Sequence, residues 1–173
     1  MKLNNILKRI NHLLLVFFII SLSNCPYETS IQTGSPIAIQ SDISGTWQDP
    51  LNPKAVLYIS NMNHSEILIL GGESSKIEGV VFVARGFFSS IGSNTILNVQ
   101  VLADEKGFRD SKKQTFYFAK IQKTEKAFCY HLVGDELIKN KITNSTKLNQ
   151  KLKQNWENSK LWEGKEVCME AVL

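Results

Sequence analysis

From residue 43 onward the chain is cut into short runs rich in Val, Ile, Phe and Tyr, each closed by a turn signal. That spacing limits the available folds more than any other feature, because β-branched and aromatic runs of this length suit a pleated, half-buried surface. The runs are Ile43–Gln48, Ala55–Ser60, Glu66–Leu70, Gly79–Phe88, Thr95–Ala103, Gln114–Lys123 and Lys126–Val133. Gly71-Gly72, Gly92-Ser93-Asn94, Lys106-Gly107 and 123–126 supply the turns between them. In the fifth run Leu97, Val99 and Val101 alternate with Asn98 and Gln100, the pattern of a strand with one face in a core and the other wet. Hairpin-length links imply an antiparallel meander.

The C-terminal part changes character. Asp135–Ile142 reads as a short helical turn, and after a cap at Ser145 the residues Leu148, Leu152 and Trp156 recur every four positions, which gives one helix an apolar stripe. A last run, Glu166–Leu173, returns to strand spacing and pairs with an earlier strand to complete the sheet. The expected fold is mainly β: a small antiparallel eight-stranded barrel with one C-terminal helix before the last strand. Closure removes the exposed edges that an open sheet would carry.

Ahead of this body stands a segment of another kind. Met1–Asn24 carries Lys2, Lys8 and Arg9 and no acid, then an unbroken apolar block from Leu13 to Ile20, then Ser21, Leu22, Ser23 and Asn24 before Cys25. These are the n-region, h-region and cleavage region of an export signal. As a helix, Leu13–Leu22 would rise about 15 Å, half of a hydrocarbon core of about 30 Å, which is too short for a stable span. The expected organisation is a signal peptide over 1–24, a flexible tether over 25–42, where Pro26, Gly34, Pro36 and several Ser, Thr and Gln residues show little periodicity, and a barrel domain over 43–173.

The tetrapeptide Leu22-Ser23-Asn24-Cys25 resembles the lipobox of bacterial lipoproteins. Leu22 and Ser23 match that family's pattern. Asn24 stands where Gly or Ala is usual, which is similar to the relaxed lipoboxes of spirochaetes. The resemblance implies that the Cys25 sulfur receives a diacylglyceryl group, that the preceding peptide bond is cut, and that the freed amine takes an acyl chain such as palmitate. Cys25 would then be the first residue of a mature chain held in the cell envelope on a bacterial membrane, with the outer membrane expected. Each buried methylene contributes about 0.8 kcal/mol, so two or three chains hold a protein on a bilayer where one gives only reversible binding.

Loss of the leader removes three of the 20 basic residues and none of the acids, leaving 17 against 16. Most of the apparent basicity therefore belongs to the leader. The remainder is uneven, with 3 basic and 8 acidic residues from Cys25 to Glu105 and 14 basic and 8 acidic from Lys106 to Leu173. With Cys25 lipidated, Cys129 and Cys168 are left as an even pair in an oxidising compartment. Cys129 shares a strand face with His131, and Cys168 with Glu170, so both can point outward from neighbouring strands. A disulfide is the expected outcome, with two half-buried free thiols as the alternative.

Gly45-Thr46-Trp47, on the first expected strand, resembles the Gly-x-Trp signature of lipocalins, whose tryptophan plugs one end of the barrel. The resemblance implies that Trp47 is such a plug and that a small lipocalin-like barrel follows. An internal ligand would then be apolar, since the strands supply far more Val, Ile, Leu and Phe than inward polar groups.

Catalytic chemistry is not expected. The mature chain has only His64 and His131, and the neighbours His64, Ser65 and Glu66 point in different directions on a strand or turn, whereas a triad needs convergent groups. Two histidines and two cysteines without metal-ligand spacing, and no glycine-rich phosphate loop, lead to an expectation of no metal and no cofactor. Lys112, Lys113, Lys120, Lys123 and Lys126 surround Phe116-Tyr117-Phe118. The favoured reading is a solvated strand with buried aromatics; for an exported protein the functional alternative is an anionic envelope or host surface, not nucleic acid. The leading expectation is a lipid-anchored barrel that binds an apolar ligand or a partner. The alternative is a structural or interaction lipoprotein with a solid core: an envelope assembly subunit, an adhesin, or an enzyme inhibitor acting through Asn61–Ser65.

Overall fold

The computed structural model describes residues 27–39, 42–73, 80–110, 115–138 and 142–172. Leu22, Ser23, Asn24 and Cys25 lie outside the described residues, as do Lys112 and Lys113. Among the described residues nine strands make one antiparallel sheet: β1 (Gly45–Asp49), β2 (Asn52–Asn61), β3 (Glu66–Glu73), β4 (Val80–Ile91), β5 (Asn94–Asp104), β6 (Gly107–Phe108), β7 (Phe116–Lys123), β8 (Ala127–Leu132) and β9 (Val167–Ala171). The helix α1 spans Ser145–Asn155, between β8 and β9. Strands β1 to β5 are neighbours in order, β5 then pairs with β7, β7 with β8, β8 with β9, and β9 returns to β1. Eight strands thus close into a barrel, and β6 adds only two residues beside the end of β5.

Alternation divides β4, β5 and β7 between two cores, while the other barrel strands face the inner one alone. Inward lie Trp47, Ile59, Ile67, Ile69, Ala84, Phe88, Leu97, Phe128 and Met169. The interior is filled by setting bulk against absence of bulk. A Cβ on Gly71 would lie 2.0 Å from Cε1 of Phe82, and one on Gly86 would lie 2.9 Å from Cγ1 of Ile67, so neighbouring side chains occupy the space those glycines leave. Trp47 is buried, donates from Nε1 to the Ile43 carbonyl at 2.9 Å, and has its ring 5.5 Å from that of Phe128. Ile43 is itself fully buried, so this tryptophan ties the start of the domain to the barrel interior.

Outward lie Phe87, Ile91, Ile96, Phe116 and Phe118, and α1 covers them with Leu148 and Leu152. A 3-10 turn at Ser159–Leu161 adds Leu161, and Trp156 meets Trp162 edge-on at 5.1 Å. The outer face of β5 is therefore not wet: Asn98 is fully buried and Gln100 nearly so. The helix is capped by Asn144, whose side chain accepts from Lys147 N, not by Ser145, whose hydroxyl donates to the Gln32 carbonyl at 2.8 Å. Asp135–Ile138 makes a bend closed by one Ile138 N to Asp135 O bond of 3.1 Å instead of the expected helical turn, and 139–141 lie outside the described residues.

The close approach at Gly71 gives a test. Gly71→Ala drives a methyl into the Phe82 ring, and overpacking of this kind costs about 1–3 kcal/mol. We expect a lower urea midpoint at unchanged m-value, partly restored by adding Phe82→Leu; an unchanged midpoint for the single variant would show that the interior has room.

Candidate functional site

Residues 27–39, expected as part of a flexible tether, are docked along the barrel. Tyr27 is 5% exposed, its N–H donates to the Val133 carbonyl at 2.8 Å, and its ring stacks on Phe118 at 6.1 Å. Thr29 and Phe116 exchange backbone bonds of 3.2 and 2.7 Å. Ile37 N donates to the Phe88 carbonyl and Ile39 N to the His64 carbonyl, both at 2.9 Å. This strap crosses the outer wall and delivers Ile37, Ile39 and Ile43 to the inner core.

Its midpoint is a buried polar knot. Asn98 Oδ1 accepts from Thr33 N at 3.0 Å and from Thr33 Oγ1 at 2.9 Å, while Asn98 Nδ2 donates to Ser89 Oγ at 2.9 Å. Thr33 Oγ1 also meets Ser89 Oγ. Composition hid the strap because its threonines read as solvated, whereas Thr29 and Thr33 are buried and bonded. Its apolar anchors, Tyr27, Ile31, Ile37 and Ile39, were the available signal.

Cys129 on β8 and Cys168 on β9 are register partners with Cα atoms 4.0 Å apart, and they form a disulfide. Both lie on the outward parity of their strands. Among the described residues, Glu166 brings a carboxylate oxygen within 4.8 Å of these sulfurs, but a disulfide has no thiolate to offer a metal. Two strand positions along, His131 has its ring 5.6 Å from that of Trp162, which Lys120 Nζ covers at 5.0 Å from the centroid. Burial holds the His131 imidazole below its ordinary 6.5; the Lys120 ammonium acts the same way, and the Gly164 carbonyl and the Glu166 carboxylate oppose it.

The other sequence candidates are dispersed. His64 and Ser65 sit in the β2–β3 connection and Glu66 opens β3; Asn63 Oδ1 accepts from Ser65 N, Ser65 Oγ and Glu66 N, and Asn63 Nδ2 donates to Glu66 Oε2 at 3.0 Å. The serine and the glutamate are thus committed to Asn63. Phe116 and Phe118 are buried under the helix layer and offer no face for stacking. Lys123 Nζ donates to the Asp42 carbonyl. A cleft of about 460 Å³ lies outside the barrel between strap and helix, lined by Thr33, Gly34, Ser145, Asn149 and Lys153. Among the described residues no helix is long and apolar enough to cross a membrane. No family model matches the chain, and neither a curated protein nor a solved structure matches it.

Two measurements follow from this geometry. Cys129 and Cys168 are 39 residues apart, and closing such a loop restricts the unfolded chain by about 3–4 kcal/mol. The double Cys129→Ala, Cys168→Ala variant should lose about that much in equilibrium denaturation, and a loss below about 1 kcal/mol would assign the bridge no stabilising role. The depressed folded-state basicity of His131 means that the unfolded chain takes up the proton first as pH falls. The contribution is therefore complete above about pH 6.5 and is lost below it, toward the folded-state value. NMR titration of His131 should show a midpoint under 6.5, and the stability lost between about pH 7.5 and 5.5 should shrink in His131→Gln.

Proposed function

We propose that this is a lipid-anchored bacterial envelope protein, expected on the outer membrane, that works by binding a partner on the outside of its barrel and performs no catalysis. Tethering concentrates the barrel at a surface, and recognition follows from the groups on its outer wall. The anchor part is supported by the basic, acid-free leader, an apolar block too short to span, and Leu22-Ser23-Asn24 preceding Cys25.

The observation that favours a partner outside the wall over an apolar ligand within it is the interior packing. Phe82 fills the space over Gly71, Ile67 and Leu97 close on Gly86, and Trp47 lies against Phe128. A ligand-holding barrel keeps a lined cavity of several hundred Å³. Here large side chains on neighbouring strands crowd the inner face, and the polar cleft between strap and α1 lies on the outer surface.

The anchor is tested by growing cells with a clickable fatty acid. The wild-type chain should take the label and Cys25→Ser should not; equal labelling of the two removes the lipoprotein assignment. The interior is tested by titrating the purified protein with a fluorescent fatty acid. No saturable one-to-one signal is expected, and a stoichiometric, competable site would restore the apolar-ligand reading.

A further inference from the structure

We infer that the barrel rests directly on the bilayer by one end, with Phe108 and Leu51 entering the interfacial layer as a second, non-covalent contact beside the acyl chains. This rests on the anchor reading above and specifies the orientation it produces.

The antiparallel order gives the barrel two distinct ends. One carries the Gly92-Ser93 turn of β4–β5, the β2–β3 connection with Met62, and the Thr124–Lys126 turn of β7–β8. The other carries the β1–β2 turn with Leu51, the β5–β6 turn with Phe108, the start of β7 and the end of β8. Tyr27 is pinned to Val133 and Thr29 to Phe116, both at the second end. Only Pro26 separates Tyr27 from Cys25, and two residue steps of about 3.5 Å reach about 7 Å. Acyl chains on Cys25 therefore hold this end against the membrane, with no linker long enough for the barrel to turn away.

The side chains there fit that position. Phe108 is 92% exposed and Leu51 86%, more than Met62 at 55% on the opposite end. Single exposed apolar residues are ordinary on protein surfaces. Among the described residues, the two most exposed large ones share the end from which the anchor leaves. Phe108 is also coupled to the anchor: Arg109 bonds Asp104 Oδ2 through Nε and a terminal nitrogen at 3.1 and 3.0 Å and also reaches Tyr117, whose hydroxyl donates to Glu28 Oε2 at 2.8 Å. Asp104, Glu105, Lys106 and Arg109 mix both signs of charge, so apolar insertion, not attraction to anionic headgroups, is the matching chemistry. Exposed aromatic and aliphatic side chains at an interface bury their apolar bodies among the acyl-chain boundaries.

The test uses the full chain, expressed and extracted from membranes, then reconstituted in phosphatidylcholine vesicles with or without brominated acyl chains. Three variants each add one indole: Phe108→Trp, Leu51→Trp and, at the far end, Met62→Trp. Trp47, Trp156 and Trp162 are buried and give a common background. Brominated lipid should at least halve the added emission of Phe108→Trp and Leu51→Trp and leave that of Met62→Trp unchanged. Equal quenching of all three, or quenching of none, overturns the orientation when intact mass shows acyl chains on Cys25. A bare Cys25 in the same mass spectrum overturns the anchor reading and the orientation with it, so the two failures are told apart.

Discussion

The pairing of β9 with β1 is the contact on which the rest of the structure depends. Trp47 and Gln48 face Ala171 and Glu170 across it, and Val172 N donates to the Thr46 carbonyl at 2.9 Å. Without that seam the sheet has two edges with unpaired backbone groups, and the inner side chains lose the closed wall around them. Only two register pairs join β9 to β1, a narrow seam for closing a ring of eight strands. The Cys129–Cys168 bridge fixes the other side of β9 to β8 in register, so the short closing strand is held covalently on one flank and by backbone bonds on the other. A one-residue slip would turn Met169 outward and Cys168 inward, which the bridge forbids.

Closure makes the sheet a single wall with a core on each side. The inner core is bounded by the wall itself, whereas the outer one over β4, β5 and β7 exists because α1, the 3-10 turn and the strap lie on it. The outer faces of β2 and β3 receive no such cover. Tyr58 is exposed there, and Leu68 and Leu70 are half-buried. The wall thus has a thick side and a thin side.

What the sequence disclosed follows from what periodicity can encode. A run of β-branched and aromatic residues reports a strand whether its partner is near or far, so the eight barrel strands and the late helix were legible, and the parity of Cys129 and Cys168 placed their side chains on one face. Gly45-Thr46-Trp47 likewise marked a buried tryptophan. Periodicity does not say what covers an outward face. Asn98 and Gln100 look like a wet surface in any window of β5, yet both are buried, Asn98 in bonds to the distant Thr33 and Gln100 in a bond from Arg85. The strap itself has one or two anchors per turn of chain and no repeating pattern, because it crosses strands instead of running along them. The cap was misplaced by one residue because Asn144 and Ser145 are both good caps, and Ser145 is drawn away by the Gln32 carbonyl. The two-residue β6 is too short to carry any alternation.

The buried knot decides whether the strap can act as a hinge. Asn98 and Ser89 are fully buried, and Thr33 supplies bonds to both. Lifting the strap would expose these groups to water or leave them unpaired under the remaining cover, and each unpaired buried polar group costs about 1–3 kcal/mol. It would also uncover Tyr27 and pull Ile37, Ile39 and Ile43 from the inner core. Together these losses are comparable to the whole stability of a small domain, about 5–15 kcal/mol. Release of the strap is therefore close to unfolding of the barrel, and a load applied at the start of the strap is carried straight into the wall through Val133 and Phe116. A segment whose composition reads as slack is, physically, part of the wall.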